Sequence, residues 1–543
     1  MVEMNKNKDL VGKYLLEQLM FSLYPEAETI YREYIQNACD SIKEAVENGI
    51  LRENKEGHVT VEIDENHHSI SIEDNGTGIV STEVEQTLKS IARSKKRKNE
   101  FAGFYGIGRL VGGGYCGKLV FVTSSKGESV KSEMTFDMDQ IREILKDEKN
   151  DSSASEVIQE VTTFKIEKEE NVDSHYFKVI LKDILPDYQD ALLDVDKINS
   201  YLIQVAPVTY GATFSNNLMK PELTKEEKYR KYYDQLDMVR VSINDCVGIE
   251  KPYSIYFYGT ELEKDRTRLH IESIQFFSIT DEDLGDLAWG WYAYTANGTQ
   301  IKEIDPIDKK PVLTRGIRLR CHNIQVGDEN VLNKYFKQAR SHTYFNGEVF
   351  IINPKIIPTT DRSDIAPTSE AKKFQEKLTD FFRNDLEKLY QEANKANKCL
   401  ETIKKCDDEI KKVENGDSKP EVKEKKLAEL HEEKQKSSEK LNKIVAKKEN
   451  DRQTQSMRTL AENVEKQFDN YQKGSTIINA PEQRVVSPQK TIDEKIDELS
   501  EKYSEQEVTM VRRIFGIMDN RMPKKLESTI KSIEESILND LKK

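Results

Sequence analysis

Residues 30 to 45 read Ile30-Tyr31-Arg32-Glu33-Tyr34-Ile35-Gln36-Asn37-Ala38-Cys39-Asp40-Ser41-Ile42-Lys43-Glu44-Ala45. Wound as an α-helix, this stretch puts Glu33, Asn37 and Asp40 on one stripe, while Ile35, Ala38, Ile42, Ala45 and Val46 form an apolar flank for a core. A carboxylate, an amide and a second carboxylate then face one way. The amide oxygen of Asn37 is a hard, neutral donor, suited to a magnesium ion that keeps most of its waters and takes further ligands from phosphates. Glu33, one turn earlier, is placed to orient or deprotonate a water. The same stripe also reads as a solvated helix face, so the rest of the chain must decide.

Downstream, Val59-Thr60-Val61-Glu62-Ile63-Asp64 and Ser69-Ile70-Ser71-Ile72-Glu73-Asp74 alternate with period two around a turn at 65–68, which predicts a hairpin. Its second strand runs into Asp74-Asn75-Gly76-Thr77-Gly78. Such an ending fixes Asp74 at a strand terminus and lets the backbone bend away at the glycines. Asp74 can then accept a hydrogen bond from an exocyclic amine while bare backbone at Gly76 and Gly78 lies against a flat ring such as adenine. An ordinary Asx turn is the alternative.

Residues 88 to 100 are polar and basic, with little to bury, and read as a mobile lid. They lead into Gly103, Gly106 and Gly108, spaced G-x-x-G-x-G ahead of a helical stretch, where backbone N–H groups can meet phosphate oxygens. A dinucleotide site is not expected, because no strand immediately precedes Gly103 and no acidic residue follows on a strand at the required distance. The basic run Lys95 to Lys98 reads as a solvated lid face or a partner contact. Lys118 to Ser124 then reads as a buried strand containing Thr123, with further strands expected at 131–137, 157–167 and 176–183.

Composition sets the frame. The 543 residues hold 83 basic and 97 acidic side chains, a net charge of −14, which argues against nonspecific nucleic-acid binding by the whole surface but leaves local basic patches open. That length suggests roughly three or four domains. There is no apolar run of the length a membrane helix needs and no apolar signal core at the start, so a soluble, cytoplasmic protein without membrane association is expected. Six cysteines without a C-x-x-C pair indicate neither zinc nor disulfides, and read as reduced packing residues.

The ordered set E-x-x-x-N-x-x-D, D-x-G-x-G, lid, G-x-x-G-x-G and strand with Thr123 resembles the GHKL ATPase superfamily of gyrase, HtpG-type heat-shock chaperones, histidine kinases and MutL. Arg32 to Asp40 is most similar to the chaperone branch. The resemblance implies an α+β protein with a Bergerat fold, a helix layer over a mixed sheet with ATP between them. It implies Glu33 as general base, Asn37 as Mg2+ ligand and Asp40 as a further nucleotide-site residue. Asp74 would read adenine beside Gly76 and Gly78, Gly103, Gly106 and Gly108 would be phosphate-binding backbone, and Thr123 would support the adenine site. No histidine precedes Glu33, which disfavours a histidine kinase.

A second resemblance covers Arg315 to Gly327, Tyr344 to Pro354 and the loop Ile357-Pro358-Thr359-Thr360-Asp361-Arg362-Ser363-Asp364. These look like the α/β transducer domain of chaperone-like and MORC-like ATPases, in which Arg362 would reach the γ-phosphate. A surface arginine paired to Asp361 or Asp364 is the alternative. Beyond that, 386–414 and 421–450 read as an antiparallel helical hairpin broken at 415–420, followed by a third helix to about residue 472. The stripe Leu526, Ile530, Ile533, Ile537 and Leu541 suggests a dimer contact, or else a small intramolecular bundle. The expected domains are therefore 1–210 for ATP binding, 211–385 as transducer, 386–473 as charged helices, 474–490 as linker and 491–543 as dimerisation segment. The function so implied is an ATP-hydrolysing homodimeric clamp of the HtpG-like type. A MORC-like or MutL-like nucleic-acid clamp, or an ATPase sensor subunit of an antiphage system, is the alternative. Nothing in the helical third names a client protein or partner subunit.

Overall fold

The computed structural model describes residues 11–18, 20, 26–90, 108–246, 248–256, 271–295, 300–306, 309–415, 420–449 and 455–476. Gly103, Gly106, most of the expected lid and the Leu526 to Leu541 stripe lie outside the described residues.

The chain builds two sheets. Seven strands form the first: β1 His58–Asp64, β2 Ser69–Asp74, β3 Cys116–Ser124, β4 Val130–Asp137, β5 Thr162–Lys168, β6 Tyr176–Ile184 and β7 Arg240–Ile243. Their order is β5-β4-β3-β6-β2-β1-β7, and every pairing is antiparallel except β1 with β7. Helices of this part are α1 Tyr14–Glu17, α2 Thr29–Glu47, α3 Val84–Lys89, α4 Met138–Lys146, α5 Ala154–Val161, α6 Pro186–Leu192 and α7 Val195–Val205. The apolar flank read from the sequence does bury: Ile35, Ala38, Ile42 and Ala45 of α2 share one core with Val59 and Val61 of β1 and with Ile198, Leu202 and Val205 of α7.

Two expectations change. The strand expected at 157–167 begins at Thr162, because Ser153 and Glu156 form a reciprocal capping box that starts α5 instead. The boundary expected at 210 does not separate the sheets. After Tyr210, Phe214 and Leu218 join an aromatic cluster of the second half, the chain returns as β7, and Val239, Val241, Ile243 and Ile249 pack in the first core. Five of the six cysteines are buried, while Cys246 is exposed.

The second sheet contains β8 Ile271–Asp281, β9 Gly285–Thr295, β10 Gly316–Cys321, β11 Ile324–Val326 and β12 Phe345–Ile351, in the order β11-β10-β12-β9-β8. Both its faces are covered. Trp289, Trp291 and Phe350 meet the aromatic cluster with Tyr210, Phe214 and Tyr253, whereas Leu319, Val349 and Tyr292 share a core with the helix Ser369–Phe381 and with Phe382 and Leu386 just beyond it. The helices Glu387–Asn415 and Pro420–Val445 then run as a hairpin, with Lys447 paired to Glu392 near its base and Lys434 to Asp407 further out, and a third helix, Gln455–Thr476, packs beside them. Among the described residues no helix is long and apolar enough to cross a membrane.

Candidate nucleotide site

Asp74 ends β2, where its register partners are Val59 on β1 and Phe177 on β6, and Thr123 on β3 also pairs with Phe177. Residues aligned across a sheet share a face, so Asp74, Phe177 and Thr123 form one row. Asp74 Oδ1 accepts the Gly76 amide at 2.8 Å, which holds the carboxylate at the start of the glycine turn. That turn lies directly on α2. A Cβ at Gly76 would stand 2.0 Å from Ser41 Oγ, and the Thr77 amide donates to the same hydroxyl at 3.1 Å. Gly78 has φ +62°, and a Cβ there would stand 1.9 Å from the Ser124 carbonyl oxygen, so only glycine fits. Thr123 acts through the protein: its hydroxyl accepts from the Ile79 amide at 2.9 Å and donates to the Tyr176 carbonyl at 2.8 Å, tying the turn to two strands.

Further toward the N-terminus on the same face of α2, a Cβ on Gly108 would stand 3.0 Å from Glu33 Oε2 and 3.9 Å from Asn37 Nδ2. The backbone at the end of the glycine loop therefore lies close to both side chains. It is anchored from below by Tyr34, whose hydroxyl accepts the Gly112 amide and donates to the Arg109 carbonyl, each at 3.0 Å. Burial pushes the Tyr34 phenol far up, so it stays protonated for both bonds. Arg109 in turn donates to the Thr87 and Ser90 carbonyls, which joins the loop to α3.

The loop 357–364 of the second half comes to the same helix. Arg32 Nη2 lies 3.3 Å from Glu33 Oε1 and donates to the Asp361 carbonyl at 2.9 Å. Arg362 is 3% exposed, with φ +56°, a backbone conformation that an L residue adopts only when its surroundings enforce it. Its Nη1 lies 3.5 Å from the Cys321 carbonyl, and its own carbonyl accepts the Gly327 amide at 2.7 Å. Burial pushes the guanidinium pKa down, with Cys321, Glu33, Arg32 and Asp40 all within its electrostatic reach. A surface arginine is thus not what the fold presents. Asp364 pairs with Lys334, and the Asp361 carboxylate accepts from Thr359 and Ser363.

Asp74 and the glycine turn on one side of α2, Gly108 over Glu33 and Asn37, and Arg362 beside Glu33 make one cluster from segments far apart in the chain. Residues 26–168 match the family described as histidine kinase-, DNA gyrase B- and HSP90-like ATPase. The chain carries a GHKL-type ATPase domain. Similar proteins include the chaperone protein HtpG of Francisella tularensis subsp. novicida, 23% identical over 247 residues, or 40% of this chain and 38% of the relative. HtpG of Alcanivorax borkumensis is 29% identical over 142 residues, 23% of each chain, and HtpG of Chlorobium phaeobacteroides is 38% identical over 87 residues, 15% of this chain and 14% of the relative. The chain covers less than half the length of these curated relatives.

Within the ATPase domain, the residues present fit a nucleotide with a divalent cation. Gly108 backbone lies against the Glu33 carboxylate and the Asn37 amide, whose oxygens form a hard donor set suited to Mg2+ rather than to a soft metal. Arg362 comes from outside the matched segment. Sequence reasoning missed Arg32, although an arginine beside the candidate base was in plain view. It also passed over Arg318, Arg320 and Glu348, charges written into strands that are mostly apolar.

Proposed function

We propose that the protein binds and hydrolyses ATP as a dimeric clamp of the HtpG-like type, in which lid closure and association of the ATPase domains are coupled to hydrolysis. Asp74 accepts the exocyclic amine of adenine, with the ring against Gly76 and Gly78 and the row made by Thr123 beneath. The amides of Gly103, Gly106 and Gly108 take the phosphates. Asn37 would hold Mg2+, which supplies charge neutralisation at the phosphate oxygens, and Asp40 lines the same face.

Glu33 accepts a proton from a water whose oxygen bonds to the γ-phosphorus as the bond to the β-phosphate oxygen breaks, leaving ADP and phosphate. Arg32 keeps the Glu33 carboxylate and the loop 357–364 in mutual contact. Arg362 meets the negative charge that develops on the transferred group, as an arginine finger supplied within the chain. The observation that carries this reading is the burial of Arg362 within electrostatic reach of Glu33 and Asp40. The test is ADP release by the full chain with Mg2+, run beside sedimentation with a non-hydrolysable ATP analogue. ADP release no faster than that of Glu33→Ala overturns the ATPase, and a monomer under both conditions overturns the clamp.

A further inference from the structure

The second sheet contains a closed polar cage that the nucleotide chemistry does not use. Glu348, on β12, has 0% exposure, and Arg320, on β10, has 1%. Glu348 Oε1 accepts from Arg320 Nε, while its Oε2 accepts from Lys251 Nζ at 2.8 Å and from the Tyr210 hydroxyl. Lys251 also donates to Asn323 Oδ1 at 2.8 Å, and Trp291 Nε1 donates to the Tyr210 hydroxyl at 2.8 Å. Burial alone would raise the Glu348 carboxyl, but Arg320 and Lys251 outweigh it and hold it below the usual range. A charge set of this kind contributes little net stability compared with apolar packing, so its geometry is the better guide to its purpose.

That geometry points in two directions from Arg320. Its Nη2 donates to the Gln204 carbonyl at 2.7 Å, and Nη1 reaches the Ala206 carbonyl at 3.5 Å. Gln204 lies in the last turn of α7, where carbonyls have no partner inside the helix and a cation complements the helix dipole. Arg320 thus caps a helix that shares the first core with α2, the helix bearing Glu33. Toward the other side, Nη1 donates to the Asn323 carbonyl at 2.9 Å, fixing the turn His322-Asn323, whose residues have φ +53° and +56°. Next to Arg320 in the chain is Cys321, the residue whose carbonyl lies against Arg362. Arg318, two residues earlier, repeats the tie by donating to Gln204 Oε1 at 3.0 Å.

We propose that Arg320, Glu348 and Lys251 form a positioning joint that sets the loop bearing Arg362 from the end of α7, so that Arg362 stands in register with Glu33. None of the three touches the nucleotide. The joint rests on the reading of Arg362 as the group that acts on the γ-phosphate. The cage fixes the orientation of the Arg320 fork, the fork fixes α7 against the 321–323 turn, and the turn fixes Arg362. A lysine in place of Arg320 keeps a charge but cannot hold Glu348, the turn and the helix end together.

The test is a double-mutant cycle on the full chain, reading the affinity for a non-hydrolysable ATP analogue and the rate of ADP release. In the wild-type background Arg320→Lys is expected to lower kcat about tenfold to a hundredfold, the size of a small misplacement of a catalytic group. Analogue affinity and KM stay within about twofold, the scatter expected of an uncoupled site. In the Arg362→Ala background the same substitution is expected to change kcat by no more than that. Lys251→Met leaves one cation for one carboxylate and is expected to lower kcat by about threefold with the same dependence on Arg362. It carries the test if Arg320→Lys does not give a cooperative melting transition. Equal losses in both backgrounds, or a wild-type rate in folded Arg320→Lys or Lys251→Met, overturn the joint. An Arg362→Ala protein of full turnover instead overturns the finger reading, and the joint with it.

Discussion

In the seven-stranded half the polar side chains of the nucleotide cluster border glycine backbone: Asp74 and Thr123 stand at or beside strand ends next to the Gly76 and Gly78 turn, and Glu33 and Asn37 lie against Gly108 on the face of α2. In the five-stranded sheet Arg318, Arg320 and Glu348 sit inside strands in which every residue is buried. A polar group set against glycine backbone leaves room for a ligand where no Cβ stands. Arg320 and Glu348, inside strands buried along their whole length, are satisfied by protein, so they fix how parts of the protein sit against each other. The first arrangement suits binding and chemistry, the second suits transmission of position, and Arg362 is where the two meet.

The sharpest break of this contrast is Arg362→Ala. The residue belongs to the second sheet's side of the molecule, yet its proposed work is chemical. Turnover should fall roughly 10³-fold while ATP affinity stays near the wild-type value, since the adenine and phosphate contacts proposed above all lie within the ATPase domain. Arg362→Lys should recover only part of the loss, because an ammonium does not reproduce the planar fork. Single-turnover hydrolysis beside equilibrium binding checks both. A variant that loses binding instead would make Arg362 a prop for the α2 face.

On the nucleotide side, Glu33→Ala should lower turnover about a hundredfold with binding intact, the cost of losing a general base. Asp74→Asn should do the reverse. Its amide presents a donor where an adenine amine already donates, so ATP should bind about tenfold to a hundredfold more weakly by calorimetry. If Asp74→Asn left affinity unchanged, the row Asp74, Phe177 and Thr123 would be only a strand-end structure.

The first sheet was largely legible in the sequence, and the second only in outline, for a physical reason. Helix Thr29–Glu47 carries a long apolar stripe and the hairpin 58–74 alternates apolar and polar residues in sequence, although in the fold only β1 alternates buried and open positions, while α2 is buried all round from Thr29 to Gln36 and β2 on both faces at Ile70–Ile72. α5 escaped because Val157, Ile158 and Val161 look like a strand unless the Ser153 and Glu156 cap is given weight. In the second half the strand at 345–351 was visible, but nothing local tells whether Glu348 faces water or a guanidinium. The pairing of Glu348 with Arg320 and Lys251 reaches across 28 and 97 residues of chain. Likewise Glu33, Asn37 and Asp74 carry motif spacing, whereas the contact of Arg32 with Asp361 exists only once the two halves meet.

The smallest expected effect tests whether the buried cage holds charge as described. One carboxylate, Glu348, serves two cations, Arg320 and Lys251, so the cage carries an excess positive charge, and Lys251 is the group able to shed it. Burial, then Arg320, push its ammonium down to about 7 against the pull of Glu348, from an ordinary lysine value of 10.5. Between those two values the unfolded chain binds the proton that the folded chain releases, so stability rises with pH across the window. The gain is complete above about 10.5 and is lost as pH falls through about 7. The slope is at most about 1.4 kcal/mol per pH unit. Lys251→Met has no such proton to exchange, so the difference in unfolding free energy between wild type and variant should climb from pH 7 to pH 9 in denaturant titrations and be flat from pH 5 to pH 6. A flat difference up to pH 9 would mean that Glu348 keeps Lys251 charged and that the cage holds its excess charge permanently, leaving the geometric joint intact but removing any dependence of it on pH.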